Sequence, residues 1–167
     1  HKLYVAAGNK LTIYSNLEEF PKNVAGGFTL PSKITSIGVD GGGHYLALGT
    51  YEGGIWIKDL RNSEAASSFT PHASAINDLK FSTVVGNVLQ LASASSDQTI
   101  KLFDVNALLN AKNTEDILTL RMHSKWAYCL WYSQDGKFIY SGSEDKRMIS
   151  WHTTMAGIYQ FLTDDKN

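Results

Sequence analysis

The sequence predicts an all-β fold assembled from repeated antiparallel sheet units, and three observations carry that expectation. The first is residues 91–105, LASASSDQTIKLFDV. Small and apolar residues alternate up to a polar Ser-Ser-Asp-Gln turn, and Ile100 and Leu102 alternate with Thr99 and Lys101 beyond it, which reads as strand, tight turn, strand. The second is that the chain repeats this phrase, as YSGSEDKRMISWHT over 140–153, LALGTYEGGIWIKDL over 46–60 and VAAGNKLTIYS over 5–15. The third is the period. The position closing the second strand is held by Tyr14, Lys58, Phe103 and Trp151, at intervals of 44, 45 and 48 residues. Short strands recurring at such a period mark a propeller-type array, in which neighbouring units bury one another's faces.

At its second strand the unit resembles the WD repeat, whose signature there is Asp-x-Thr-Ile-Lys-Leu-Trp-Asp. Residues 97–104, DQTIKLFD, match it except at Phe103. Residues 145–152 match at Asp145 and Trp151, with His152 in place of the final Asp. Residues 52–59 keep Asp59 but carry Lys58 at the Trp position, and residues 8–15 are the most eroded copy. The family also opens each unit with Gly-His. Pro71-His72 and Met122-His123 keep the His, and Leu30 stands there in the first full unit. The resemblance implies a WD-type β-propeller segment of about four four-stranded antiparallel blades. The units run roughly over 1–30, 31–70, 71–122 and 123–167, the first lacking its inner strand. WD rings usually close with seven or eight blades. The expectation is therefore a half-ring or a fragment, completed by the rest of a longer propeller or by a second copy in a homodimer, because bare sheet faces are not stable in water.

Taken in order, strands are expected over 3–7 and 11–15, joined by Gly8-Asn9-Lys10, where Gly and Asn tolerate positive φ. Residues 17–27 read as loop, with Pro21 and Gly26-Gly27 as breakers, and 28–30 as a short outer strand. The first full unit places its inner strand over 34–39, its middle pair over 45–49 and 55–59, and an outer strand at Phe69-Thr70. In the second, Ile76, Leu79 and Phe81 carry the inner strand, 84–87 turn, and the hairpin of 91–105 follows. Residues 106–115 are polar, with a helical turn over 107–111, and 117–121 form the outer strand. In the third, Ala127, Leu130 and Tyr132 hold the inner strand, residues 134–137 turn, and 138–141 and 148–151 close the unit. In the tail, Met155, Ile158, Tyr159 and Leu162 fit helical spacing with Thr153 as a cap. That spacing favours helix over the alternative of an outer strand.

The totals exclude several function classes. A chain of 167 residues with 43% apolar content is one domain's worth and can bury a real core. A formal net charge of −1 and short like-charge runs give no field to attract nucleic acid or an acidic membrane. The single Cys129 excludes an internal disulfide and agrees with a reducing, intracellular and cytoplasmic setting. No apolar run approaches the length of a membrane span, and no leader is visible. The chain opens at His1, inside a repeat, and so reads as a piece of something longer.

His123, Ser141 and Asp145 suggest a Ser-His-Asp triad, but His72, Ser93 and Asp97 repeat the set one unit earlier. An active site is not needed once per blade. In the WD family these positions, with the Trp, form a hydrogen-bonded structural tetrad, and a buried imidazole does need both nitrogens paired. The resemblance implies a full tetrad of His123, Ser141, Asp145 and Trp151. It implies a partial one of His72, Ser93 and Asp97, because Phe103 has no N–H, and none in the first full unit, which has Leu30, Leu48, Glu52 and Lys58. The five His show no metal-ligand spacing, and Gly41-Gly42-Gly43 lacks the Lys-Ser/Thr and helix of a phosphate loop, so no metal, catalytic residue or cofactor is expected.

The functional candidates are the residues that break the core pattern. By resemblance, Trp126 and Tyr128 fall where WD propellers place a partner-docking rim, and Trp and Tyr are common interface anchors. The corresponding positions are Lys33 and Thr35, and Ala75 and Asn77, with Tyr51, Ser96, Gln98, Glu144 and Lys146 in the adjoining turns. Mixed charge among aromatic and polar groups suits a protein or peptide partner better than a phosphate backbone. The expected function is a non-enzymatic interaction scaffold, the interaction or sensor part of a larger protein. The alternatives are a propeller enzyme with a loop-borne site and a purely structural piece of a ring. Against an enzyme, the long loops contain no His or Cys, and their carboxylates are Glu18, Glu19 and Glu115.

Overall fold

The computed structural model describes residues 2–15, 22, 24–62, 66–83, 88–110, 118–153 and 159–162, the last four as backbone. The expected turn over 84–87, the loop residues Glu18, Glu19 and Glu115, and tail residues 154–158 lie outside the described residues. The chain divides into two compact units, His1–Ile34 and Thr35–Asn167.

The first unit is an antiparallel three-stranded sheet of β1 (Leu3–Ala7), β2 (Lys10–Tyr14) and β3 (Val24–Thr29), in that order. Gly8, at φ 60, makes the β1–β2 turn. The Asn9 amide donates to the Leu30 carbonyl at 2.9 Å, and the Leu30 N–H returns to the Asn9 carbonyl at 2.8 Å. The expected outer strand over 28–30 is corrected here, because β3 begins at Val24 and runs through Gly26 and Gly27. Gly27 lies so close to the Leu11 carbonyl that a Cβ would collide with it. The glycine marks a close backbone approach within the strand, not a break.

The second unit holds three four-stranded antiparallel sheets. The first has β4 (Ile34–Val39), β5 (Tyr45–Thr50), β6 (Ile55–Asp59) and β7 (Ala66–Phe69). The next has β8 (Ile76–Phe81), β9 (Gln90–Ser95), β10 (Ile100–Asp104) and, after a helix, β11 (Leu118–Leu120). The last has β12 (Ala127–Tyr132), β13 (Phe138–Ser143), β14 (Met148–His152) and β15 (Tyr159–Leu162). Each strand pairs with its sequence neighbour, as in an array of propeller blades.

The sheets stack through two cores. Ala47, Ile55 and Ile57 meet Ile76, Leu79, Leu91 and Phe103, all buried. Ala92, Ala94, Ile100 and Leu102 meet Ala127, Leu130, Ile139, Ile149 and Trp151. Leu91 and Ala92 thus feed opposite cores from adjacent positions, as a strand buried on both faces requires. Each fully buried Leu or Ile contributes roughly 1.5–3 kcal/mol of burial.

Two expectations shift. The helical turn expected over 107–111 is α1 (Val105–Leu109), which starts two residues earlier. The Asp104 side chain caps it, accepting from the Asn106 and Ala107 N–H groups at 2.8 and 3.2 Å, while Val105 and Leu108 join the core. The tail favoured as helix is instead strand β15 over Tyr159–Leu162, pairing antiparallel with β14 from Met148↔Leu162 to Trp151↔Tyr159. The open N–H and C=O groups along β14 template a strand whatever the helical spacing of the side chains.

Candidate functional site

Two arrangements carry the polar chemistry of the second unit. The first is a pair of buried networks. In the last sheet, His123 Nδ1 lies 2.9 Å from Asp145 Oδ2, His123 Nε2 lies 2.8 Å from Ser141 Oγ, and Trp151 Nε1 donates to Ser141 Oγ at 2.7 Å. Trp can only donate and a carboxylate can only accept, so the proton order follows for a neutral imidazole. Trp151 N–H points to Ser141, the Ser141 hydroxyl to His123 Nε2, and His123 Nδ1–H to Asp145. The Ser124 and Arg147 N–H groups also donate to Asp145, at 3.1 and 2.9 Å. Burial by itself would raise the Asp145 pKa. The hydrogen bonds from His123, Ser124 and Arg147 outweigh it and hold the carboxyl below the ordinary value.

The neighbouring sheet builds a variant of this network. His72 Nδ1 lies 2.8 Å from Asp97 Oδ2, and His72 Nε2 lies 2.7 Å from Ser93 Oγ. Phe103 fills the Trp position without an N–H and packs edge-on against Phe69 at 5.3 Å. Thr99 enters at the other end, its hydroxyl donating to Asp97 Oδ1 at 2.6 Å, and the Ala73 N–H donates to Asp97 at 3.1 Å. Burial opposes ionisation of Asp97, but the bonds from His72 and Thr99 win and its pKa falls far below that of a free carboxylate. In the β4–β7 sheet, the Ser position holds Leu48 and the Trp position holds Lys58.

These networks have the order of a nucleophilic triad but not its access. Ser141 is 1% exposed and Ser93 0%. A nucleophile must present its oxygen to a substrate, and Ser141 Oγ is enclosed between an indole N–H and an imidazole. Among the described residues, no group of three His, Cys, Asp or Glu could hold a metal ion.

The second arrangement is a groove of about 600 Å³ that crosses all three sheets. Thr35, Tyr51, Asn77, Ser96, Trp126 and Tyr128, all singled out in the sequence, line it. Trp126 is 51% exposed and Tyr128 45%, and their rings meet edge to face at 6.3 Å. Asn77 and Tyr128 sit where the register slips between Ile76 and Asp78 and between Ala127 and Cys129. A bulge re-aims the extra side chain out of the sheet, here at the same repeat position in two sheets. Hydrogen bonds across the sheets fix the floor. Thr35 Oγ1 donates to the Ile76 carbonyl at 2.6 Å, and Asn77 Nδ2 donates to the Ala127 carbonyl at 2.7 Å and to Ser96 Oγ at 3.0 Å.

The other sequence candidates lie elsewhere. Gln98 and Lys146 are exposed at the fourth position of the tight turns with φ of 74° and 65°, where the β5–β6 turn has Gly53 at 83°. Glu144 is exposed, its carboxylate 3.8 Å from Lys125, and its N–H donates to the Trp126 carbonyl at 3.0 Å. Lys33 is exposed at the end of the first unit. Sequence reasoning passed over Glu52, Ala73 and Ser74, which also line the groove. The signal for Glu52 was present, since it stands at the turn position of Asp97 and Asp145 while the matching His position holds Leu30.

Comparison with known proteins agrees with this geometry. Residues 63–104 and 114–152 match the WD40 profile, described as "WD domain, G-beta repeat". Over 113 residues the chain is 33% identical to the E3 ubiquitin-protein ligase COP1 of Pisum sativum, covering 67% of this chain and 15% of that protein. Over 115 residues it is 31% identical to the chromatin assembly factor 1 subunit FAS2 homolog of Oryza sativa subsp. japonica, covering 65% of this chain and 22% of that one. The chain thus spans less than a quarter of these relatives' length. Among solved structures, a chain of the mitotic checkpoint complex superposes with a TM-score of 0.73 at 20% identity, over 90% of this chain and 44% of that one, a likeness of fold. With its repeat profile, paired His-Asp-Ser networks and serial four-stranded sheets, the chain belongs to the WD-repeat β-propeller family.

Proposed function

We propose that this chain is a non-enzymatic interaction scaffold that presents the groove rim to a protein or peptide, as part of a larger intracellular protein. WD-repeat proteins generally act as protein-interaction scaffolds. The observation that carries the reading for this chain is the half-exposed Trp126–Tyr128 pair at the edge of a groove with a hydrogen-bonded floor. Rigid aromatics beside a pocket are what hot spots are made of. Gln98, Glu144, Lys146 and Lys33 lie outside this groove and serve, in this reading, as peripheral contacts. In this reading the histidine networks stabilise their own sheets and do no chemistry.

In this proposal the units roughly over 31–70, 71–122 and 123–167 act as successive blades of one ring. Trp131 is 70% exposed and Met148 52%, on the last sheet. A further sheet, from a longer propeller or a second copy, covers that face. Light scattering of the chain distinguishes these, a dimer mass meaning two copies.

The test of function is panning a random heptapeptide phage library on the immobilised chain, then measuring Kd for a selected peptide. Trp126→Ala is expected to abolish binding while the melting temperature stays within about 2 °C, as for surface substitutions. A library that yields no peptide dependent on Trp126 contradicts the proposal.

A further inference from the structure

Glu52 occupies the turn position at which the other two sheets of the second unit place Asp97 and Asp145. Those two carboxylates are consumed internally, by a histidine, by the N–H of the residue after it, and by turn N–H groups. Glu52 has no such duty. The His position of its repeat holds Leu30, its side chain is exposed, and among the described residues its carboxylate makes no ion pair. It opens instead into the groove beside Tyr51, which is 64% exposed.

The rest of the groove determines what that carboxylate meets. No Lys or Arg is among the described residues that line it. The donors of its floor are already spent, the Asn77 amide on Ser96 and the Ala127 carbonyl and the Thr35 hydroxyl on the Ile76 carbonyl. Lys125, next to the rim, faces Glu144 at 3.8 Å. A phosphate or carboxylate ligand would therefore find a fixed negative charge and, among the described lining residues, no cation to meet its own. A cation would find a carboxylate, and an aromatic ring whose negative face adds attraction. The Trp126–Tyr128 pair offers apolar surface instead.

We propose that the groove takes a peptide that sets a lysine or arginine side chain against Glu52 and Tyr51 and an apolar side chain against Trp126 and Tyr128. This deepens the interaction reading above and rests on it. The inference names the chemistry of the occupant, a basic and apolar segment in place of an acidic or phosphorylated one.

The heptapeptide library decides it when the selected peptides are sequenced and one is resynthesised for titration against the wild-type chain and the Glu52→Gln, Glu52→Lys and Trp126→Ala variants. The selected peptides are expected to carry a Lys or Arg. Glu52→Gln should raise Kd about fivefold, the scale of an exposed ion pair. Glu52→Lys should raise it further, and added salt should weaken only the wild-type complex. Glu52 lies in an exposed turn, so both variants should melt with the wild type. Peptides that need Trp126 but ignore Glu52→Gln, or that are acidic, overturn this inference and leave the scaffold reading standing. A library with no Trp126-dependent peptide overturns both.

Discussion

The β4–β7 and β8–β11 sheets share one register and hold their turns by different means. In β8–β11 the turn acid, Asp97, is tied to His72, Thr99 and the Ala73 N–H, and a buried Ser93 completes the chain of bonds. In β4–β7 the Ser position is Leu48, fully buried, and the turn is closed locally. Thr50 Oγ1 accepts from the Gly54 N–H at 2.9 Å, and Gly53 sits at φ 83 where any Cβ would collide with the His72 carbonyl. A satisfied polar network and a packed apolar residue are alternative solutions to one problem, and each is intolerant of single-member exchange. The apolar solution also releases an acid. With no histidine to bind, Glu52 is left to the groove.

That comparison can be broken most severely at Leu48. Leu48→Ser places the networked residue type into a sheet without the network. It should cost about 4 kcal/mol, from lost burial and a hydroxyl without partners, read by urea unfolding. A loss under about 1 kcal/mol would mean that the sheet already accommodates polar groups at that position. The two histidines sharpen the contrast between the networks themselves. His123→Ala should cost about 3 kcal/mol and His72→Ala about 2, because Asp97 retains the Thr99 hydroxyl while Asp145 retains only backbone donors. Equal losses would mean that Trp151 and Thr99 do not set the balance.

Acid provides a smaller effect. Asp97 and Asp145 have folded pKa values depressed below their unfolded ones. Their contribution to stability is thus fully present above the unfolded value, near about 4, and is lost as pH falls through the folded values. The Asp97→Asn, Asp145→Asn double variant should show a flatter loss of stability below about pH 4 than the wild type. Residual slope is expected from Asp59, which hydrogen bonds from Arg61 lower to about 2, and from Asp135, held down by the Ser133 hydroxyl. An unchanged slope would remove the networks from the acid response. The smallest effect lies in the turns. Gln98→Gly and Lys146→Gly should each be neutral to stabilising by up to about 1 kcal/mol, since both residues hold positive φ. Destabilisation by either would show that the side chain makes contacts that outweigh its backbone strain.

The sequence made the repeat legible because the turn acid, the small residues before it and the apolar pair after it are fixed by local pairing. The histidine networks were legible for the same reason, since their members recur at set offsets from the turn. The bulges at Asn77 and Tyr128 were not, because an extra residue in a strand leaves no mark until its partner's register is known. Glu52 was read only as an eroded tetrad, and its release shows once the groove is seen. Asp104 hid the start of α1 because one residue both ends the repeat motif and caps the helix. The tail was misread because helical spacing within it competes with an open strand edge brought alongside by the fold.

The most direct test of the division between structural networks and a binding groove is a paired measurement of melting temperature and peptide Kd on Trp126→Ala and His123→Ala. The account predicts that Trp126→Ala keeps the wild-type melting temperature and loses the peptide. It predicts that His123→Ala melts several degrees lower yet binds the peptide with near wild-type Kd well below its transition. A Trp126→Ala chain that melts as early as His123→Ala, or that binds as tightly as the wild type, would contradict it.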